Sequence, residues 1–213
     1  MSGAHREPLI AVYADESCLG NGREGDNPGG AGALIEFLHP ATGVLARRDI
    51  WISERATTNN RMALRSVIEA FTALSHRGRT CRVVFTSDSR YLIDGMTSWV
   101  HGWAARRWQR KGGVILNLEL WCDAVDAARA HSTDWRWVRG HDGNVQNEYA
   151  NHLATRAAGE QTGSGGLVES GFGEWLATAR AKGAFLATEN PFPTDDGFSP
   201  ARELPGCAAA RLV

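Results

Sequence analysis

Arg82-Val-Val-Phe-Thr-Ser-Asp88 decides the fold of this chain. It is a short, β-branched apolar run that stops at a carboxylate, and it lies between two helical patterns. Upstream, Met62, Leu64, Val67, Ile68, Phe71 and Leu74 recur at helical spacing after Thr57-Thr58-Asn59-Asn60, whose side chains can cap a helix start. Downstream, a helix is expected from Ser89 and another over Leu116 to Ala130, before an alternating strand from Thr133 to Arg139. Strand, helix, strand, helix implies right-handed parallel crossovers. Working back toward the N-terminus, the pattern differs. Leu9 to Asp15, Gly32 to Leu38 and Val44 to Ser53 read as three strands in an antiparallel meander, with turn signals through Gly20 to Gly32. Val145 to Ala158 reads as a last helix of this unit. The expected fold is α/β: a five-stranded mixed sheet, antiparallel in its first half and parallel in its second, flanked by helices.

The composition fits one such domain plus an appendage. There are 213 residues, 23 basic and 24 acidic, for a formal charge of -1, which excludes a bulk polycation but not a local basic patch. No window approaches the roughly 20 apolar residues of a membrane span. The N-terminal stretch has no apolar signal region, so a cytoplasmic protein is expected. Cys18, Cys81, Cys122 and Cys207 show no metal-type spacing and read as free thiols. We place the domain at 8–159. Gly159 to Gly166 reads as a linker, and residues 160–213 form an extension with one amphipathic helix over 172–186 and an irregular, proline-punctuated end.

Asp15 and Asp88 each fall at the C-terminal end of a strand, the edge where open α/β sheets bind ligands. Two carboxylates brought together there repel each other unless a hard cation neutralises them, and Mg²⁺ suits oxygen ligands of this kind. A single aspartate at a strand end is more often a turn or cap, so the pair draws its weight from its surroundings.

Those surroundings resemble the ribonuclease H family of bacterial and organellar type. The matching segments are YADESCLGN (13–21), TTNNRMAL (57–64), TSDSRYLIDGMTSWVHGW (86–103), NLELW (117–121), WRWVRGHDG (135–143) and NEYANHLA (147–154), in the family's order. The resemblance implies the ribonuclease H-like fold and cleavage of the RNA strand of RNA–DNA hybrids with two Mg²⁺ or Mn²⁺ ions. Of the family's four acidic positions, two fall on Asp15 and Asp88. The helix glutamate falls on Ala63, whose methyl group ligates nothing, and the last aspartate falls on Asn151, whose amide oxygen is a weaker ligand. Glu16 follows Asp15 directly and can stand in for the missing glutamate if the strand kinks there. Otherwise alternation points it away from Asp15. Three readings stay open: a natural variant with a rearranged ligand set, a hybrid-binding protein that has lost catalysis, and an engineered inactive chain. The scatter of the departures favours natural divergence. His141 falls on the family's mobile histidine, a group suited to proton transfer.

For the substrate, the resemblance assigns Asn21, Thr58, Asn59, Asn60, Asn147 and Glu148 to contacts with the hybrid, where amides can both donate to and accept from a 2′-hydroxyl. The segment Trp99 to Gly113 carries Arg106, Arg107, Arg110 and Lys111 with no acidic residue, interleaved with Trp99, Trp103 and Trp108. Basic residues among aromatics suit a phosphate backbone, and the family has a basic protrusion here. Trp99 is expected to point inward, and Trp103 or Trp108 toward the hybrid. The hybrid is the expected partner, with the protein a monomer. A different nuclease of the wider superfamily fits less well, because the asparagine run and the Trp-rich basic segment are hybrid-specific features of this family.

Overall fold

The computed structural model describes residues 7–20, 27–39, 41–140, 142–185 and 189–212. The chain runs β1 (Leu9–Cys18), β2 (Gly29–Leu38), β3 (Leu45–Glu54), α1 (Asn59–Leu74), β4 (Arg82–Ser87), α2 (Arg90–Asp94), a π turn (Gly95–Trp99), α3 (Val100–Ala104), α4 (Leu118–Ala128), β5 (Ser132–Trp137), α5 (Val145–Glu160), β6 (Val168–Glu169) and α6 (Phe172–Ala181). One sheet has the order β5-β4-β1-β2-β3-β6. The first three strands pair antiparallel, and β4 pairs parallel with both β1 and β5. These are the five expected strands in the expected directions. The sixth, β6, comes from the extension and adds two residues antiparallel to β3.

Period-two alternation in β1 divides the core. Ile10, Val12 and Ala14 pack with Ala33, Val83 and Phe85 against the α1 and α4 side chains Leu64, Val67, Phe71 and Trp121. Ala11 and Tyr13 pack with Leu34 on the other face, under Tyr149 and Leu153 of α5 and Phe172 of α6. Helix α1 starts where Thr58 accepts a hydrogen bond from the Arg61 N–H, and its apolar stripe then faces the sheet. Helix α6 is shorter than expected. Gly183 turns left-handed at φ 78° and donates its N–H to the Arg180 carbonyl, ending the helix at Ala181.

Of the glycines read as turn signals, Gly20 does turn, at φ 90°, whereas Gly29 and Gly30 are strand residues. Gly29, Gly30 and Gly32 lie in β2 because helices press on the strand there. A Cβ on Gly30 would lie 2.2 Å from the Ala154 carbonyl oxygen, and one on Gly32 would lie 2.6 Å from Leu153 Cβ. Helix α5 therefore beds directly on the backbone of β2, which pairs with the end of β1. Gly30→Ala is expected to cost about 3 kcal/mol through overpacking against rigid helix backbone. Denaturant unfolding measures this, and an unchanged midpoint would contradict the close approach.

Candidate active site

The acidic cluster forms where β1 outruns its parallel neighbour. The β1–β4 pairing ends at Tyr13 and Thr86, whereas β1 continues beside β2 to Cys18. Asp15 therefore sits just past the last parallel pair, and Asp88 sits just past the end of β4. Asp15 points toward α5, as Tyr13 and Ala11 do, and Glu16 leaves β1 on the α1 side, as Ala14 does. Alternation thus holds, yet the two carboxylates still meet. No strand separates the faces at this point, and ligand oxygens of Asp15, Glu16 and Asp88 all lie within 4.8 Å of one another. The expectation that alternation would part Glu16 from Asp15 fails because the longer glutamate side chain reaches around the open sheet edge.

Ala63 is fully buried in the α1-side core, the side from which Glu16 enters the cluster.

The electrostatics of the cluster suit a cation. Asp15 is 7% exposed, and burial followed by repulsion from Asp88 pushes its pKa up to about 8, against the pull of the Glu16 N–H donated to Oδ1 at 2.7 Å. Burial and the charges of Asp15 and Asp88 push Glu16 well above the usual carboxylate range. Its Oε2 is buried with no hydrogen-bond partner among the described residues. Three crowded carboxylates, one with an orphaned oxygen, fit a hard divalent ion well and fit metal-free neutral pH poorly.

Three neighbours surround the aspartates. Asn147, 3% exposed, donates from Nδ2 to the Ala14 carbonyl at 3.2 Å and to Asp15 Oδ2 at 3.5 Å. Its side chain thus faces Asp15 and the backbone of β1. The structural reason is the close bedding of α5 on β2. Gly140 lies against Asp88, where a Cβ would fall 2.3 Å from Oδ2. Trp137 Nε1 donates to the Asp88 backbone carbonyl at 2.9 Å. Gly140→Ala is expected to displace the Asp88 carboxylate and cut turnover about 10²-fold with little change in melting temperature. Wild-type turnover in this variant would show that Asp88 tolerates the move.

The other candidates are distributed as follows. Asn151 is half-buried on α5, one turn beyond Asn147, and its Oδ1 accepts from Thr155 at 3.4 Å. Glu148 lies in the first turn of α5 and adds to the negative field at Asp15. Thr58 and Asn60 are exposed at the start of α1, and Asn59 between them has a buried Oδ1 without a hydrogen-bond partner among the described residues. Asn21 and His141 lie outside the described residues. Arg106, Arg107, Arg110 and Lys111 are all exposed. Trp103 lines a cavity of about 290 Å³ with Tyr91, Trp99, Arg110 and Trp121. Trp108, expected to share the substrate face, is instead 4% exposed in the core, and Trp99, expected inward, is 38% exposed. The chain doubles back at Arg107 and Trp108, both left-handed (φ 54° and 60°), and this drives the Trp108 indole inward.

Comparison with known proteins identifies the family. The RNase H family profile matches residues 7–159. The chain belongs to the ribonuclease H family. It is 37% identical over 156 residues to the ribonuclease H of Pelobacter propionicus, covering 73% of this chain and 88% of that one. It is 44% identical over 150 residues to the ribonuclease H of a Janthinobacterium species, covering 69% and 94%. Among solved structures, it is similar to LC9-RNase H1, described as a type 1 RNase H with the type 2 active-site motif, with a TM-score of 0.90 and 60% identity over 97% of this chain and 98% of that one. The ribonuclease H family consists of metal-dependent endoribonucleases, and the acidic cluster found here is suited to a divalent ion. No helix among the described residues is long and apolar enough to cross a membrane.

Proposed function

We propose that this protein is a type 1 ribonuclease H that hydrolyses the RNA strand of RNA–DNA hybrids, with Glu16 in place of the absent helix glutamate. The observation that carries this reading is the meeting of Asp15, Glu16 and Asp88 at the open end of β1, on the side where Ala63 leaves no acid. The similarity to a type 1 RNase H described as carrying another active-site motif supports it. Residues 8–159 would carry the chemistry.

When bound, divalent metal would supply Lewis-acid polarisation of the phosphate and a water of lowered pKa. The protein's part is to hold and orient. Asp15, Glu16 and Asp88 present the charged oxygens, Asn147 fixes the rotamer of Asp15, and Asn151 adds an uncharged amide oxygen from α5. Asn59 and Asn60 offer amide groups to the 2′-hydroxyls that distinguish RNA from DNA, and Thr58 offers a hydroxyl to a phosphate of the DNA strand. Arg106, Arg107, Arg110 and Lys111 attract the phosphates of the DNA strand. Asn21 and Glu148 are further candidates for the hybrid, and His141, next in sequence to Gly140, is the candidate for moving the proton. The competing reading, a hybrid-binding protein without catalysis, draws on Ala63 and Asn151.

The test is cleavage of an end-labelled RNA–DNA hybrid with Mg²⁺ and with Mn²⁺, against single-stranded RNA, duplex RNA and Asp88→Asn. Cutting of the hybrid alone, lost in the variant, is expected. Tight hybrid binding with no cutting by either metal would replace this reading with the non-catalytic one.

A further inference from the structure

The segment after α6 crosses the molecule from one layer to the other. It begins on the α5 side, where fully buried Gln146 donates to the Asn190 carbonyl at 2.8 Å and accepts the Asn190 N–H at 3.1 Å. It then passes the ends of β4 and β5. Arg82 pairs with Asp195, Arg136 donates to the Gly197 carbonyl at 2.6 Å, and the Ala201 N–H donates to the Thr133 carbonyl at 2.8 Å. It finishes on the opposite face, where Cys207 is 1% exposed in the core shared by α1 and α4. Pro191, Pro193, Pro200 and Pro205 stiffen the path.

One contact at its far end concerns the basic loop. Trp108 Nε1 donates to the Gly206 carbonyl at 3.2 Å. Trp108 is also one of two consecutive non-glycine residues in the left-handed region, a conformation that persists only where surrounding contacts impose it. Its backbone N–H closes the turn on the Trp103 carbonyl at 2.7 Å, and its ring is seated in the core. The exposed cations Arg106, Arg107, Arg110 and Lys111 flank this residue on both sides. The indole is thus the peg on which the loop hangs, and the only acceptor described for its N–H is supplied from residue 206.

We propose that residues 190–207 act as a strap that holds the basic loop 105–113 in its substrate-ready shape, with Trp108 as the positioning residue. This rests on the reading of the protein as a hybrid-cleaving enzyme, in which that loop grips the DNA strand. The carboxylates stand on β1 and at the end of β4, placed by sheet pairing, so loosening the strap acts on substrate affinity and spares the chemical step.

Two variants test it: Trp108→Phe, which keeps a ring in the core and removes the N–H, and a chain ending at Leu204. Both are compared with the full chain by hybrid KM and kcat and by amide hydrogen exchange of residues 105–113. The expected result is KM raised about 3- to 10-fold in each with kcat within about twofold, and faster exchange across the loop. In the shortened chain Trp108→Phe should add little further to KM and to loop exchange, because both changes remove the Trp108–Gly206 contact. Unchanged KM and unchanged loop exchange in the shortened chain, with only a lower melting temperature, would make the segment a plain stabiliser and overturn the proposal. So would strictly additive effects. Should the full chain cleave no hybrid, the catalytic reading fails on its own, and loop exchange then decides the strap.

Discussion

Glu16→Gln is expected to lower hybrid cleavage about 10³-fold, equivalent to about 4 kcal/mol of barrier, while making the metal-free protein more resistant to heat at pH 8. The two effects share one cause. Glu16 brings a third carboxylate to within 4.8 Å of Asp15 and Asp88 and leaves Oε2 buried without a hydrogen-bond partner. That arrangement is costly in the absence of a counter-charge and valuable in its presence, because it supplies charge that Ala63 cannot. An amide is nearly isosteric and uncharged, so it relieves the repulsion and weakens the ion site together. Hybrid binding, measured with metal withheld, should stay within about twofold, since the basic loop and the start of α1 are untouched. Moving the acid back, as Glu16→Ala with Ala63→Glu, should recover part of the activity, because both positions serve the same side of the sheet. A Glu16→Gln enzyme of near-normal activity would assign the ion site to Asp15 and Asp88 without Glu16.

The second large effect is on pH. Asp15 has a folded pKa raised to about 8, from an ordinary value of 3.8. A group raised in this way stabilises the fold fully below its unfolded pKa, and the contribution is lost as pH climbs through the folded value. The metal-free protein should therefore lose melting temperature steadily between about pH 4 and pH 8. Asp15→Asn should flatten this slope. Added Mn²⁺ should restore stability most strongly at the alkaline end, where fewer protons have to be expelled for the ion to enter, and binding at lower pH should release more protons. Melting curves with and without Mn²⁺, for wild type and Asp15→Asn, measure this. A metal-free curve that rises with pH, or an Asp15→Asn curve parallel to wild type, would contradict the assigned electrostatics.

How far the sequence reveals the molecule depends on the range of the interaction concerned. The β4 run and the helical stripe before it are local patterns, and they give the crossover topology correctly. Asp15 and Asp88 stand out because strand ends are visible in sequence. Glu16 is noticeable as a departure, but strand alternation alone misplaces it. Its approach to Asp15 depends on β1 extending past β4, a difference in strand length that no local pattern records. The β2 glycines mislead for a related reason. Their cause is α5, well over 100 residues away in the chain, pressing on bare backbone. Asn147 reads as a polar helix residue until the same bedding brings it to Asp15. Trp108 sits among cations and looks exposed, because its partner carbonyl lies in a proline-rich stretch without periodicity. The strap as a whole escapes for the same reason, since its bonds run through backbone carbonyls and single side chains.

Whether Glu16 is a ligand is measured most directly by a crystal structure of the protein soaked in Mn²⁺, with the ion located by its anomalous scattering. The expected result is an ion held by Asp15, Glu16 and Asp88, with a Glu16 oxygen among its direct ligands. An ion bound by Asp15 and Asp88 with Glu16 turned away toward Ala63 would contradict it.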